Sequence, residues 1–311
     1  MIVIRHLIPV ATLVLISAVV CVGQFRREGG RMSRGGDYGP RVRTEGGQWV
    51  NEDTVKTARE TLPQVAETPN WTNKAGFEKD VFTYARVLFK SPDRPALMGW
   101  LNDYPDGDLN LSLRLQELTT MKVDPDGRVL RLTDPALHNY PLLFASQPGG
   151  MLLREEEVSA LRKYLLNGGA FMVDDCWGTR NWQNFEAQMK RVFPDREWVE
   201  LAIDHPIFHC VYDFKGPMNN LQVPSIHFWR RNNDPNNPQS RVSAIRGPDS
   251  EEMQVRAWLD DRKRIMVIST YNTDNGDGYE RECENEDFFH AFSETRSYPL
   301  AINVIFYLMT H

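Results

Sequence analysis

Between Leu142 and Gly178 a short apolar run, an amphipathic stretch and a second apolar run ending in two carboxylates follow one another, an order that few folds accept. Val158, Leu161, Tyr164 and Leu165 recur at helical spacing, and Gly168 and Gly169 supply a C-cap. Ala170 to Val173 is apolar on both faces, as a strand covered by helices on both sides must be. The passage therefore reads as a β-α-β unit of a parallel sheet. Ligands of such sheets bind beyond the carboxyl ends of the strands, which is where Asp174, Asp175 and Cys176 fall.

Hydrophobic residues at 41% and aromatics at 11% permit a large core and exclude global disorder. Charge is uneven: residues 1–45 carry seven Arg against Glu28, Asp37 and Glu45, leaving 29 basic and 39 acidic residues from Gly46 onward. An acidic folded body argues against nucleic-acid binding. Arg5 and His6 precede an apolar run from Leu7 to Val22, short for a bilayer span of roughly 20 residues and suited to the core of an export signal. Residues 1–23 are expected to be a signal peptide or an N-terminal anchor, with Cys21 as an alternative lipidation site. Arg26, Arg27, Arg31 and Arg34 follow the run and oppose translocation. The expected location is exported, in the periplasm or anchored facing it. Cys176, Cys210 and Cys283 then remain, an odd number at irregular spacing without a C-x-x-C pair.

Gly29, Gly30, Gly35, Gly36, Gly46 and Gly47 make residues 24–77 a predicted flexible tether, with one short helix over Thr54–Leu62. The α/β domain is expected over 78–311. Val81–Phe89 alternates as a first strand, Leu109–Met121 has helical spacing, and Arg128–Leu132, Tyr140–Ser146 and Lys263–Thr270 read as further strands. Asn181–Val192 and the apolar Tyr298–Thr310 read as helices. Ile226–Trp229, Arg241–Ile245 and Gln254–Leu259 suggest a β-rich insertion spanning about 212–260.

Several short runs, in order, are similar to one bacterial family. They are Tyr84-Ala-Arg86, Thr133-Asp-Pro135, Tyr140-Pro-Leu-Leu143, Leu161–Gly169 leading to Asp174-Asp175, His205-Pro-Ile207, Asn272-Thr-Asp274 with Asp277, and Ala301–Tyr307. On these the chain resembles the domain-of-unknown-function family numbered 4159 over roughly residues 80–310. The resemblance implies a flavodoxin-like layered sheet related to class I glutamine amidotransferases, and an exported or membrane-attached protein. It implies no activity.

Cys176 has the small residue Gly178 two positions after it, as a nucleophile elbow requires, but Asp174 two before it. Neighbouring carboxylates would raise its thiol pKa, the reverse of activation. Asp174 and Asp175 should diverge, one facing the cleft and one capping the next helix. Arg86 needs a carboxylate if buried, and Asp174 or Asp175 is the expected partner. Hard cations seek several oxygens, which Asp103, Asn272, Asp274 and Asp277 offer at strand ends, but Asp277 stands where a calcium loop from Asn272 would need glycine. No metal or cofactor is assigned. His205 and His209 are interrupted by Pro206, against a helical metal pair. Trp100, Trp177, Trp182 and Trp229 are either core or a sugar-stacking platform.

The expected rim thus holds Arg86, Lys90, Gln147, Asp174, Asp175, His205, Asn272, Asp274 and Asp277, a carboxylate-lined cleft favouring a cation or a hydroxyl-rich ligand. The expected function is a non-catalytic binding or assembly module among envelope proteins. The alternative is an envelope hydrolase of amides or carbohydrates, with Asp175, Cys176 and His205 as its candidate groups.

Overall fold

The computed structural model describes residues 41–65, 67–76, 80–91, 99–232 and 248–311. The predicted signal or anchor, the first part of the tether and the strand expected at Arg241–Ile245 lie outside these residues.

A small hairpin comes first, β1 (Arg41–Arg43) paired antiparallel with β2 (Trp49–Asn51). The main sheet then begins with β3 (Ala85–Leu88), followed by helix α1 (Asp106–Leu118), β4 (Arg128–Arg131), β5 (Leu142–Ser146), α2 (Glu155–Leu166), β6 (Ala170–Cys176) and α3 (Gly178–Val192). It continues through β7 (Val199–Glu200), α4 (Ile226–Asn232), β8 (Gln254–Leu259), β9 (Ile265–Tyr271), α5 (Asn275–Glu280), α6 (Glu286–Phe288) and α7 (Tyr298–Thr310).

The seven strands lie in the order β4-β3-β5-β6-β9-β8-β7. The first five are parallel, and β8 and β7 extend the sheet antiparallel. Numbered by their own succession, the parallel strands follow 2-1-3-4-5, the flavodoxin-like doubly wound order, whose switch point falls between β3 and β5. β6 shows why the sheet is layered. Phe171 and Val173 enter one core with Leu161 of α2 and Phe185 of α3, whereas Met172 enters the other with Leu111 of α1 and Ile302 of α7. Every residue of β6 is buried, consistent with the apolar run that predicted it. Among the described residues no helix is long and apolar enough to cross a membrane; α7 spends its apolar surface on the sheet.

Two expectations need correction. The β-rich insertion is not a separate β unit: Ile226–Trp229 is helical, and Gln254–Leu259 is a strand of the main sheet paired along its length with β9. Part of the predicted tether is also ordered. Val50, Val55 and Ala58 are buried in the main core. Residues 55–58 run beside the outer edge of β4, where Lys56 accepts from Val129 N–H at 2.8 Å and Ala58 N–H donates to Asp126 at 2.9 Å. Glycine content argued for flexibility; a few apolar residues and an unpaired strand edge outweighed it.

A candidate functional site at the carboxyl ends of the strands

The strand exits are marked by backbone conformation. Asp103 (φ 62°), Gln147 (51°), Asp175 (56°) and Asn272 (58°) all adopt the left-handed region where a Cβ is disfavoured. These four follow or terminate β3, β5, β6 and β9. Strain held at one rim of a sheet is a mark of a constrained site. In β6 it coincides with a shift of register against β9 between Val173 and Cys176, so the two carboxylates leave the strict alternation of a strand.

Asp174 turns toward α5. It accepts from Asn275 Nδ2 at 2.9 Å, from Gly276 N–H at 2.8 Å and from the Thr270 hydroxyl. Burial nevertheless outweighs these donors and pushes its carboxyl up to about 6. Asp175 accepts from Trp177 Nε1 at 2.6 Å and Asn102 Nδ2 at 3.1 Å. Neither caps α3: Asp249, an exposed residue, accepts from Thr179 N–H at 2.7 Å instead.

The centre of the rim is Asp103, beside the β3/β5 switch point. The Ser146 hydroxyl, at the end of β5, donates to it at 2.7 Å, and Asn102 Nδ2 at 2.9 Å. Asn102 also lies 2.8 Å from Ser146 Oγ, so one amide group is shared among three acceptors. Gly276 is required here, since a Cβ at that position would stand 2.0 Å from Asp103 Oδ2. Oxygens of Asp103, Asp277 and Glu280 lie within 4.8 Å of one another, all buried. Burial, with the charges of Asp277 and Asp175, pushes Asp103 well above the usual carboxylate range. Burial likewise raises Glu280, against the opposing charge of Arg281. Such groups share protons and titrate together. Arg281 already takes the position of a counter-cation, with Nε 3.0 Å from Glu280 and 3.6 Å from Asp277. A cavity of about 20 Å³ adjoins Asp103, lined by Arg86, Ser146, Asp174, Gly276 and Tyr279, room for one water-sized group. Among the described residues the rim is a closely bonded cluster of buried carboxylates.

Arg86 is buried, but its carboxylate is Asp108, not Asp174 or Asp175. Its Nε stands 2.8 and 2.9 Å from the two oxygens of Asp108, and Nη1 donates to the carbonyls of Trp100 and Asn102. Arg86 therefore positions the segment that carries Asn102 and Asp103.

Asn272 staples the rim from below. Its Oδ1 accepts from Gly178 N–H, and its Nδ2 donates to the carbonyls of Asp249 and Glu252. Asp274 caps α5 through Asp277 N–H at 3.1 Å, and Asp277 Oδ2 accepts from Ile226 N–H at 2.7 Å. Lys90 pairs with Glu52 at 3.1 Å, while Gln147 N–H donates to the Asp174 carbonyl.

His205 does not join this group. It caps a short 3-10 turn through Ile207 N–H and meets the ring of Tyr307. Tyr307 is nine residues along α7 from Tyr298, which touches Tyr279 near the rim, a separation of about 13 Å. Cys176 is sealed in the opposite core, where burial holds its thiol far above its ordinary value. The four tryptophans considered as a platform are all buried, Trp100 against Tyr104, Trp182 against Trp258 and Trp229 against Phe288, while Trp177 donates to Asp175.

Asn102, Ser146, Asp106, Asp108, Glu280 and Arg281 complete the rim without having been singled out. The Asp103–Asp106–Asp108 series beside Gly107 is a local signal for Asp106 and Asp108, and none marks Ser146, Glu280 or Arg281.

Comparison with protein families gives one match. The model described as "Domain of unknown function (DUF4159)" matches residues 85–309, and no curated protein sequence matches the chain.

Proposed function

Because the chain belongs to the DUF4159 family, whose description assigns no activity, its role must come from its site, and we propose a non-catalytic binding or assembly module of the cell envelope. One observation carries this reading: the rim carboxylates Asp103, Asp174, Asp175 and Asp277 are buried and accept from donors of the fold itself. Nucleophilic catalysis requires a base within hydrogen-bond reach of the nucleophile. Cys176 has carboxylates as neighbours in sequence, and His205 is bound elsewhere. The envelope location draws on the export-type segment at residues 1–23, and kinship with the glutamine-amidotransferase-like fold on the 2-1-3-4-5 strand order.

A second reading, an envelope hydrolase of amide or carbohydrate bonds, draws on Asp174. A carboxyl raised to about 6 suits general acid catalysis. Among the described residues the cavity adjoining it holds about 20 Å³, room for a water-sized group.

Crosslinking of the full chain in envelope preparations, set beside hydrolysis assays on amide and glycoside substrates, separates the two. Saturable crosslinking to a defined envelope protein without turnover is expected. Turnover abolished by Asp175→Asn would establish the hydrolase and overturn the binding reading.

A further inference from the structure

Residues 41–65 precede the family match, yet they reach across the carboxyl-end rim. Two parts of the segment meet there. Gln48 Nε2 donates to the Leu62 carbonyl at 2.8 Å, and Leu62 N–H donates to Gln48 Oε1 at 3.1 Å. On one side of this junction, Gln64 N–H donates to Asp106 Oδ2 at 2.8 Å, and Gln64 Nε2 lies 3.1 Å from the Tyr104 carbonyl and 3.2 Å from Glu280 Oε1. On the other, Glu45 sits 2.9 Å from both His227 and Arg281. The apolar anchorage is slight by comparison. Val50, Val55 and Ala58 are buried, but Trp49 is 65% and Leu62 73% exposed. In β5, β6 and β9 every residue is buried.

We propose that residues 41–65 form a releasable strap, whose opening uncovers the carboxylate cluster of Asp106 and Glu280 while the sheet stays folded. The proposal rests on the binding reading for its purpose and on the latch geometry for its existence. Segments of low local stability have few buried apolar contacts; this one buries three apolar side chains and is otherwise held by polar bonds, including Trp100 Nε1 to Glu52 at 2.8 Å and Thr61 Oγ1 to the Tyr104 hydroxyl at 3.1 Å. Released, it leaves Asp106, Glu280 and the Tyr104 carbonyl as acceptors without the Gln64 donors, a surface suited to a partner's N–H groups.

The latch is sensitive to pH. Glu45 holds His227 above its ordinary range, and the hydrogen bond with His227, helped by the charge of Arg281, holds Glu45 down at about 2. The groups facing this pair are Arg281, Asp277, Glu280 and Glu284 from α5 and the turn after it. Burial holds Asp106 up at about 6, against the N–H donors of Gln64 and Val65. A group whose pKa is raised in the closed state favours closure at low pH and loses that preference as pH rises through it. His227 therefore favours the closed strap at low pH, and the strap loosens as pH rises above the ordinary imidazole value of 6.5, while the Gln64 and Val65 donors favour the ionised form of Asp106 in the closed state. The Glu45–Arg281 contact persists through that rise.

Hydrogen–deuterium exchange of the full chain tests this, with rates corrected for intrinsic chemistry, in the wild type, Glu45→Gln and Gln64→Ala. At pH 6, peptides from 41–65 should exchange at least tenfold faster than those of β5, β6 and β9. Each substitution should accelerate the strap a further three- to tenfold and leave the central strands unchanged. Strap protection should fall between pH 6 and pH 8 in the wild type and less in Glu45→Gln. Exchange of strap and central strands at one common rate in all three proteins would overturn the proposal, because the segment would then belong to the cooperative core. Crosslinking to envelope proteins is read separately: a strap that opens without any partner captured defeats the binding reading and leaves the strap standing.

Discussion

Replacing Arg86 by Met removes the most deeply buried charge pair among the described residues and should be severely destabilising. Arg86 is 1% exposed and Asp108 0%, so neither charge regains water when the other is lost. Removing one partner of such a pair costs about 3–5 kcal/mol. The carbonyls of Trp100 and Asn102 also lose their donor, adding about 1 kcal/mol or more. A total of about 5 kcal/mol is comparable with the whole stability of many domains, about 5–15 kcal/mol. At about 2–4 °C per kcal/mol for a domain of this size, the melting temperature should fall by about 10–20 °C. The loss depends on pH. Burial already raises Asp108 against the pull of Arg86; without Arg86 it rises further and takes up a proton in the folded state. A raised folded pKa gives stability present at low pH and lost as pH rises through it, so the variant should be less damaged at about pH 5 than at about pH 8. Arg86→Met combined with Asp108→Leu should recover much of the loss, since an apolar pair can replace a buried ionic one. Urea unfolding at both pH values, on both variants, is the assay. A cost below about 1 kcal/mol at pH 8 would refute the argument, because it would mean that water or another cation reaches Asp108.

Asp174→Asn should flatten part of the pH dependence of stability: with a folded value of about 6, ionised Asp174 costs about 3 kcal/mol that accrues between about pH 4 and pH 6, and the wild-type minus variant difference in urea midpoints over that window checks it. Gly276→Ala drives a methyl group into Asp103 and should cost about 1–3 kcal/mol as overpacking, seen as a melting point several degrees lower with the strands intact by circular dichroism. Labelling with a thiol reagent, mapped by mass spectrometry, should modify the exposed Cys210 in the native protein and Cys176 only after unfolding.

The parallel core was legible because each central strand is buried on both faces and so appears as an apolar run, and the helix at Tyr298–Thr310 was legible from its nearly continuous apolar character. Ile226–Trp229 was not. Ile, Phe and Trp favour strands, but here Ser225 accepts from Phe228 and Trp229 N–H, and Asp277, far along the chain, accepts from Ile226 N–H. Tertiary partners decided its conformation. The need of Arg86 for a carboxylate followed from its place on a strand; which carboxylate did not, because three-dimensional neighbours among Asp103, Asp108, Asp174 and Asp175 look alike in one dimension. The same holds for the rim itself. Asn102, Ser146, Asp175 and Glu280 come from four strand exits and share no local pattern, so topology, not spacing, assembles them.

The N-terminal segment also imposes an order on biosynthesis. Gln64 bonds Glu280 across 216 residues of sequence, so Gln64 is made well before this partner. At about 5–20 residues per second, the interval is on the order of 10–40 s. Through it the Gln64 donors stand without this partner, whereas the outer edge of β4, a template for pairing with other chains, already has residues 55–58 available to cover it. The Gln64–Glu280 latch therefore closes only after Glu280 has been made, later than the contacts that residues 55–58 make with the edge of β4.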